Sequence, residues 1–425
     1  MFYINTGIPI QRQNILMNAD VVIVGAGPSG LCLARALSGQ GLGITLIEKQ
    51  SLQEISEPSF DGREIALTQE SVRLIKDLGL WSNIEPHAIS QLRDAKILNG
   101  HSSFSMNIPH QLGRHQELGW LISNHLIREA AFKSVQQANN VHHDITILTD
   151  QKVTNVSANN EIAVVNLEGG IELKAQLIIA ADSRFSDTRQ MMGIVAEMHD
   201  FRKNMLVCCM SHEKPHEHIA WEWFDYGQTL ALLPMNPDPV TGEYRSSVVI
   251  TVGSHEIKLL MEKSAEEFSQ EVTKRFMSRL GIMRLISTKH SYPLVSVYPK
   301  NLVASRFATI GDAAVGMHPI TAHGFNFGLL GVKTLAREII HAKQAGLDIG
   351  GTNLLLRYQR RHRAQTRPLF LITRLITDIY TKESHPAKIL RKLLIHAGEN
   401  LRPLKRVIAL SLSGSKYIGW IHNSK

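Results

Sequence analysis

The sequence predicts an α/β fold: a Rossmann-like dinucleotide-binding domain interleaved with an antiparallel β-sheet domain and followed by a C-terminal helical segment. Three observations carry that prediction. Asp20 to Glu48 reads as strand, glycine-rich turn, helix and strand. Two later apolar runs, Leu177–Ala180 and Phe307–Ile310, each end in a turn of small and acidic residues. Between them, from about Phe201 to Tyr298, the texture changes to short alternating apolar segments separated by turns.

Val21-Val22-Ile23-Val24 is continuously apolar, as a parallel strand buried on both faces requires. Gly25-Ala26-Gly27-Pro28-Ser29-Gly30 supplies the G-x-G-x-x-G pattern. Gly25 permits the tight turn, Gly27 admits a pyrophosphate to the backbone, and Gly30 lets helix and strand approach. The helix that follows aims its N-terminal N–H groups and dipole at the diphosphate. Ile44–Ile47 is the second strand, and Glu48, 18 residues after Gly30, closes it where a carboxylate accepts from ribose hydroxyls. An acid there disfavours a 2′-phosphate, which favours FAD or NAD over NADP.

At 425 residues the chain suits two interleaved domains, and 44% hydrophobic with 20% charged residues describes an ordinary globular protein. Three cysteines (Cys32, Cys208, Cys209) contain no C-x-x-C, so neither a disulfide framework nor a zinc site is expected. The formal charge of +8 is concentrated: residues 357–406 hold thirteen Lys/Arg against three acids. That segment lacks the aromatic platforms of a nucleic-acid site. Its interleaved apolar residues suit an anionic membrane surface instead. No apolar run is long enough to span a bilayer, and the N-terminus lacks a signal peptide's pattern.

Continuing along the chain, Asp61-Gly62-Arg63 ends a polar loop, and Glu64 to Leu78 reads as a helix stopped by Gly79. Arg63, at that junction, is a candidate phosphate contact or a plain surface cation. Strands are expected at Ala95–Leu98 and Ser103–Asn107, and a helix over Asn124–Ala138. Ile145–Leu148, Val153–Val156, Ile162–Leu167 and Glu172–Leu173 read as a meander of short strands. The strand Leu177–Ala180 opens into Ala181-Asp182-Ser183-Arg184, a place for a ligand at carboxyl strand ends. In the middle region Trp221, Trp223 and Phe224 either line an apolar substrate pocket or serve as sheet core. Gly311-Asp312 begins a second cofactor-contacting turn that runs to Gly328, followed by a helix over Leu329–Ala345.

GAGPSG with Glu48, AADSRFSDTR and GDAAVGMHPITAHGFNFG, in that order, resemble the FAD-dependent aromatic hydroxylases of the para-hydroxybenzoate hydroxylase type. Within that superfamily DGREIALTQESVRLIKDLGLW, LGWLISNHLIREAAF and LRPLKR are most similar to the ubiquinone-biosynthesis hydroxylases. The resemblance implies that Gly25, Gly27, Ser29, Gly30 and Glu48 hold the ADP moiety of FAD. It also puts Asp312, beside Gly311, on the ribityl side, and lays the Pro319–Asn326 turn, with Gly324, against the isoalloxazine. Arg63 matches the family's flavin-side arginine. Four positions depart from the pattern: Asp182-Ser183 for Asp-Gly, Val315 for a histidine, His323-Gly324 for Gln-Gly, and His125 for the FAD-contacting helix arginine.

The resemblance implies a monooxygenase that takes electrons from NAD(P)H and, through a flavin C4a-hydroperoxide, hydroxylates the ring of a polyprenylated ubiquinone precursor. The 5-hydroxylation of a 5-demethoxyubiquinol and action at several ring positions both stay open. His318, Pro319 and His323 flank the flavin turn as candidates for catalytic roles, a structural role being the alternative for each histidine. Rival readings are a flavin-dependent reductase or halogenase, and a non-catalytic flavin-binding assembly protein. The partners implied are a lipophilic quinone-type substrate and O₂, with membrane or complex contacts through residues 357–406 and a cytoplasmic place at the membrane's inner face. The expected division is 1–17 as an unstructured lead or over-called start, 18–200 and 301–350 as the FAD-binding domain, 201–300 as the substrate domain, and 351–425 as basic amphipathic helices.

Overall fold

The computed structural model describes residues 16–100, 105–113, 116–225, 227–318 and 324–381, together with 405, 409 and 410. The lead and most of the basic tail beyond 381 lie outside the described residues. The chain opens with strand β1 (Leu16–Val24), helix α1 (Pro28–Leu37) and strand β2 (Ile44–Ile47). Val21, Val22 and Ile23 are fully buried, as a strand covered on both faces must be. Leu16 and Met17 already pair with Glu172 and Leu173, so the strand starts before the expected boundary at 18.

Where a helix over 64–78 was expected, the structure has strand β3 (Glu64–Thr68) and then helix α2 (Gln69–Asp77). The first five residues pair antiparallel with a later strand, and Thr68 Oγ1 caps the helix by accepting from Ser71 N–H. A tertiary pairing partner overrides local helix preference here. Next come β4 (Asp94–Asn99), β5 (Ser105–Ile108), β6 (Gly119–Ser123), which is the partner of β3, α3 (Asn124–His142) and β7 (Ile145–Leu148). The expected meander divides. β7 joins the main sheet beside β2, whereas Val153–Ala158 and Ala163–Leu167 form a hairpin on β8 (Glu172–Ala180). β8 is one continuous strand parallel to β1, absorbing the two segments read separately from the sequence.

The second sheet is built from β4 and β5 plus β9 (Ala196–His212), β10 (Ile219–Asp225), β11 (Gln228–Met235) and β12 (Tyr244–Gly253). β9 is bordered on its other side by β13 (His290–Pro299). The sheet thus draws β4 and β5 from before residue 201. Along its strands successive side chains point to opposite faces. Leu206, Cys208, Met210, Trp223, Leu230, Leu232, Val248 and Ile250 form one core with residues of helices α4 (Ser254–Glu262) and α5 (Ala265–Arg275). Trp221 and Trp223 belong to this helix-covered side, so the core reading holds for both. Phe224 faces the other side.

β14 (Phe307–Thr309) returns to the main sheet beside β8. Helix α6 (Gly324–Gln344) follows, beginning five residues before the expected Leu329. Helix α7 (Thr352–Thr381) crosses it, anchored where the Tyr358 hydroxyl donates to the Thr309 carbonyl at 2.6 Å. Glu338 of α6, buried, accepts from both Arg357 and Arg361 of α7.

Candidate functional site

At the carboxyl end of β1 the chain reverses through Gly25, whose φ of +107° suits glycine. A Cβ at Gly25 would stand 2.6 Å from the Ala181 carbonyl oxygen, and one at Gly30 only 2.0 Å from the Gly25 oxygen. Above Gly27, by contrast, a Cβ would meet nothing within 4 Å, and no side chain caps the N-terminus of α1. The N–H groups there face open space. Glu48, 8% exposed, accepts from Ala26 N–H at 2.7 Å and Gln50 N–H at 3.0 Å, which locks the glycine turn to the end of β2.

The three strand-end turns interlock. Ser29 Oγ would lie 2.8 Å from a Cβ at Gly311 and 2.7 Å from one at Gly328, so it wedges the first turn against the other motif's two glycines. Gly311 itself has φ +60°. Asp312 accepts from Arg184 at 3.0 Å, and the other arm of that guanidinium donates to the Val295 carbonyl on β13. Arg189, 2% exposed, donates to the carbonyls of Arg184 and Ala313, both at 3.1 Å. Asp182 Oδ2 accepts from the Thr188 hydroxyl at 3.0 Å, while its Oδ1 is buried without a partner among the described residues. Ser183 stays out of the left-handed region, and its Oγ accepts from Phe185 N–H, so serine imposes no strain where relatives have glycine. Val315 is fully buried in the main core, which makes the other departure a packing substitution.

Arg63 forms a two-armed ion pair with Asp61 at 2.5 and 3.0 Å and lies over the Tyr292 ring of β13 at 5.2 Å. Burial works against the Asp61 charge, but Arg63 and the Asn124 amide outweigh it and hold the carboxyl below its usual range. His125 packs edge-on against Phe60, its Nδ1 buried without a described partner. Arg128, one turn on, donates to Gln50 Oε1 at 3.0 Å and lies within electrostatic reach of Glu48, Asp61 and Arg63. Helix α3 thus presents an arginine to the cradle from a position that motif comparison missed. Helical spacing from His125 was the signal available.

The Asn326 amide is spent on β3, with its Oδ1 accepting from Thr68 N–H at 3.0 Å and its Nδ2 donating to the Ala66 carbonyl at 2.8 Å. It and Gly324 sit in the first turn of α6, not in a preceding loop. Pro319 and His323 lie outside the described residues. His318 is 7% exposed and stacks edge-on with Phe201 at 4.6 Å. Burial, then the nearby charges of Arg184 and Lys203, push its pKa down to about 4. It is a neutral imidazole at physiological pH, a hydrogen-bonding group and not a stored proton.

These features fit a dinucleotide such as FAD: an open approach at Gly27, an uncapped helix N-terminus, an acid at the β2 end and, next to Gly25, Asp182 with one carboxylate oxygen orphaned among the described residues. The sequence relatives agree. A family model described as FAD binding domain matches residues 18–369. Ubiquinone hydroxylase UbiM of Neisseria meningitidis is 44% identical over 94% of this chain and 85% of that protein. Ubiquinone hydroxylase UbiL of Rhodospirillum rubrum is 29% identical, over 94% and 91%. The 3-demethoxyubiquinol 3-hydroxylase of Escherichia coli is 25% identical, over 91% and 96%. Among solved structures, p-nitrophenol 4-monooxygenase PnpA of Pseudomonas putida superposes with a TM-score of 0.73 at 19% identity, covering 95% of this chain and all of that one. The flavin-dependent brominase Bmp2 gives 0.70 at 17%, covering 94% of each chain. At those identities the two structures speak for the fold alone. With the glycine cradle and the two interlocked strand-end turns in place, and a family match running through all three, the chain belongs to the FAD binding domain family.

Proposed function

We propose that this protein is an FAD-dependent monooxygenase that hydroxylates the ring of a polyprenylated ubiquinone precursor, with NAD(P)H as electron donor. FAD, when bound, supplies the redox chemistry that activates dioxygen. The residues of the chain bind it, orient the ring and exclude water. One geometric observation carries the reading. The loop Phe60–Arg63 beside the cradle closes directly on the face of the second sheet opposite helices α4 and α5: a Cβ at Gly62 would stand 2.8 Å from Val207 Cγ2, and the Tyr292 hydroxyl donates to the Asp61 carbonyl at 2.8 Å. Val207, Val249, Ala231 and Ile97 give that face an apolar row, as a prenylated aromatic requires. The names of the relatives above point to the same substrate class.

The test is complementation. Expression in a bacterium lacking its ring hydroxylases is expected to restore ubiquinone, and the intermediates that disappear, identified by mass spectrometry, report which positions are served. A purified flavoprotein that leaves every intermediate in place would sink the reading. A halogenated or merely reduced product would favour the rival chemistries.

We also infer contact with an anionic membrane surface through α7. Its outer face exposes Leu371, Ile372 and Leu375, each half exposed or more, beside Arg367 and Arg374. No helix among the described residues is long and apolar enough to cross a membrane. The triple variant Leu371→Asp/Ile372→Asp/Leu375→Asp is expected to cut co-sedimentation with phosphatidylglycerol vesicles several-fold while retaining FAD. Unchanged sedimentation would remove α7 from the contact.

A further inference from the structure

The face of the second sheet that turns toward the cofactor cradle carries a carboxyl that its neighbours do not serve. Strand register aligns a row across that face: Val207, Val249, Ala231, Glu222, Ile97 and Met106, on β9, β12, β11, β10, β4 and β5. Val207 fixes the direction in which the row points, because it is the residue that meets Gly62 of the cradle loop. The alternation of β10 confirms it, since Trp221 and Trp223 on either side of Glu222 belong to the opposite, helix-covered core. Five of the six side chains are apolar. The sixth is a carboxyl.

Glu222 makes no hydrogen bond or ion pair among the described residues. Glu222 is partly exposed, and desolvation by the surrounding protein raises its pKa to about 8. A carboxyl partly withdrawn from water, with no protein partner of its own, is a group that a ligand hydroxyl can complete. The other carboxyl with a raised pKa, Glu64, is already served by the Ser123 hydroxyl. Glu222 is not.

We propose that Glu222 is the polar anchor of the substrate ring: its carboxyl hydrogen-bonds the hydroxyl of a phenol or quinol lying on the Val249–Ala231–Ile97 surface, and so determines which ring carbon faces the cofactor. The inference rests on the hydroxylase reading and adds to it the group that recognises the substrate and sets regiospecificity. A single hydrogen bond to a carboxyl set in an apolar row is an efficient means of orientation. The apolar neighbours hold the ring and prenyl chain without preferring any rotation about the ring normal, and the one polar contact selects a rotation. A ligand lacking the hydroxyl leaves the carboxyl unpaired and is rejected for that reason.

The experiment uses FAD-loaded full-length protein and two probes, a phenol carrying a short prenyl chain and its methyl ether. Binding is measured by calorimetry, and product regiochemistry by mass spectrometry. Wild-type protein is expected to prefer the phenol by roughly tenfold, the value of one hydrogen bond to a carboxyl. Glu222→Leu is expected to lose that preference by weakening the phenol alone, and to give a mixture of ring isomers. Glu222→Gln, which keeps a hydrogen-bonding group of the same shape, is expected to retain most of both properties. It also stands in should the leucine variant fail to hold FAD. Equal loss of both probes in either variant would reveal a merely structural residue, and an unchanged preference would equally overturn the proposal. If wild type binds and hydroxylates the phenol but does not prefer it to the ether, the anchor fails and the hydroxylase reading survives. If wild type binds neither probe, both fall together.

Discussion

Gly30→Ala is expected to abolish the folded flavoprotein, whereas Gly27→Ala, three residues earlier, is expected to fold normally and bind FAD poorly. The two glycines share one motif but face different things. A methyl at Gly30 would sit 2.0 Å from the Gly25 oxygen and 3.2 Å from its carbonyl carbon, backbone atoms fixed by the bond from Gly25 N–H to the Ile47 carbonyl. Relieving that overlap means moving α1 off the sheet, a change of about 3 kcal/mol or more in a close-packed interior. At Gly27 the backbone already has φ −67°, acceptable to any residue, and the methyl would enter open space. That space is where a pyrophosphate meets the N-terminus of α1. The expected outcome is an unchanged melting temperature for apo Gly27→Ala and an FAD dissociation constant raised at least roughly tenfold, a loss of about 1.4 kcal/mol. Titration of apo protein with FAD, beside thermal melts, decides the matter. Wild-type affinity in the Gly27 variant would show that the diphosphate binds elsewhere.

His362→Leu is expected to flatten the acid sensitivity of the fold. His362 is 1% exposed, stacks on Tyr358 at 5.6 Å, and neither ring nitrogen has a partner among the described residues. Burial pushes its pKa down to about 4 from an ordinary 6.5. Its folded-state pKa lies below the unfolded one, so the unfolded chain takes up the proton first as pH falls. The contribution is complete above about pH 6.5 and is lost on descent toward pH 4, reaching about 2 kcal/mol by pH 5. His212 and His318, also pushed to about 4, act in the same direction. Melting temperatures at pH 7.5 and pH 5 should therefore converge in the variant compared with wild type. An identical fall in both would mean that the ring is satisfied in solution.

The sequence by itself determined the cradle. Gly25, Gly27 and Gly30 answer to local backbone geometry, and the buried run Val21–Val24 to a strand covered on two faces. Each needs only its neighbours in sequence, so the strand–turn–helix unit and the acid at Glu48 were legible without a structure. The resemblance supplied the order of the three strand-end turns for the same reason: each is a contiguous string.

What lies between those strings was decided by tertiary structure. Residues 64–68 satisfy helix spacing, yet they form a strand because β6 is there to pair with them. Arg184 meets Asp312 across 128 residues, and Arg189 meets Ala313 across 124, links that no local pattern encodes. The two faces of the second sheet could not be told apart from alternation, which says that residues take turns but not which turn faces the cofactor. Only the packing of Gly62 on Val207 settles that, and it sends Trp221 and Trp223 into the helix-covered core and Glu222 toward the cleft. The side on which Glu222 falls is the property of a surface assembled from six strands.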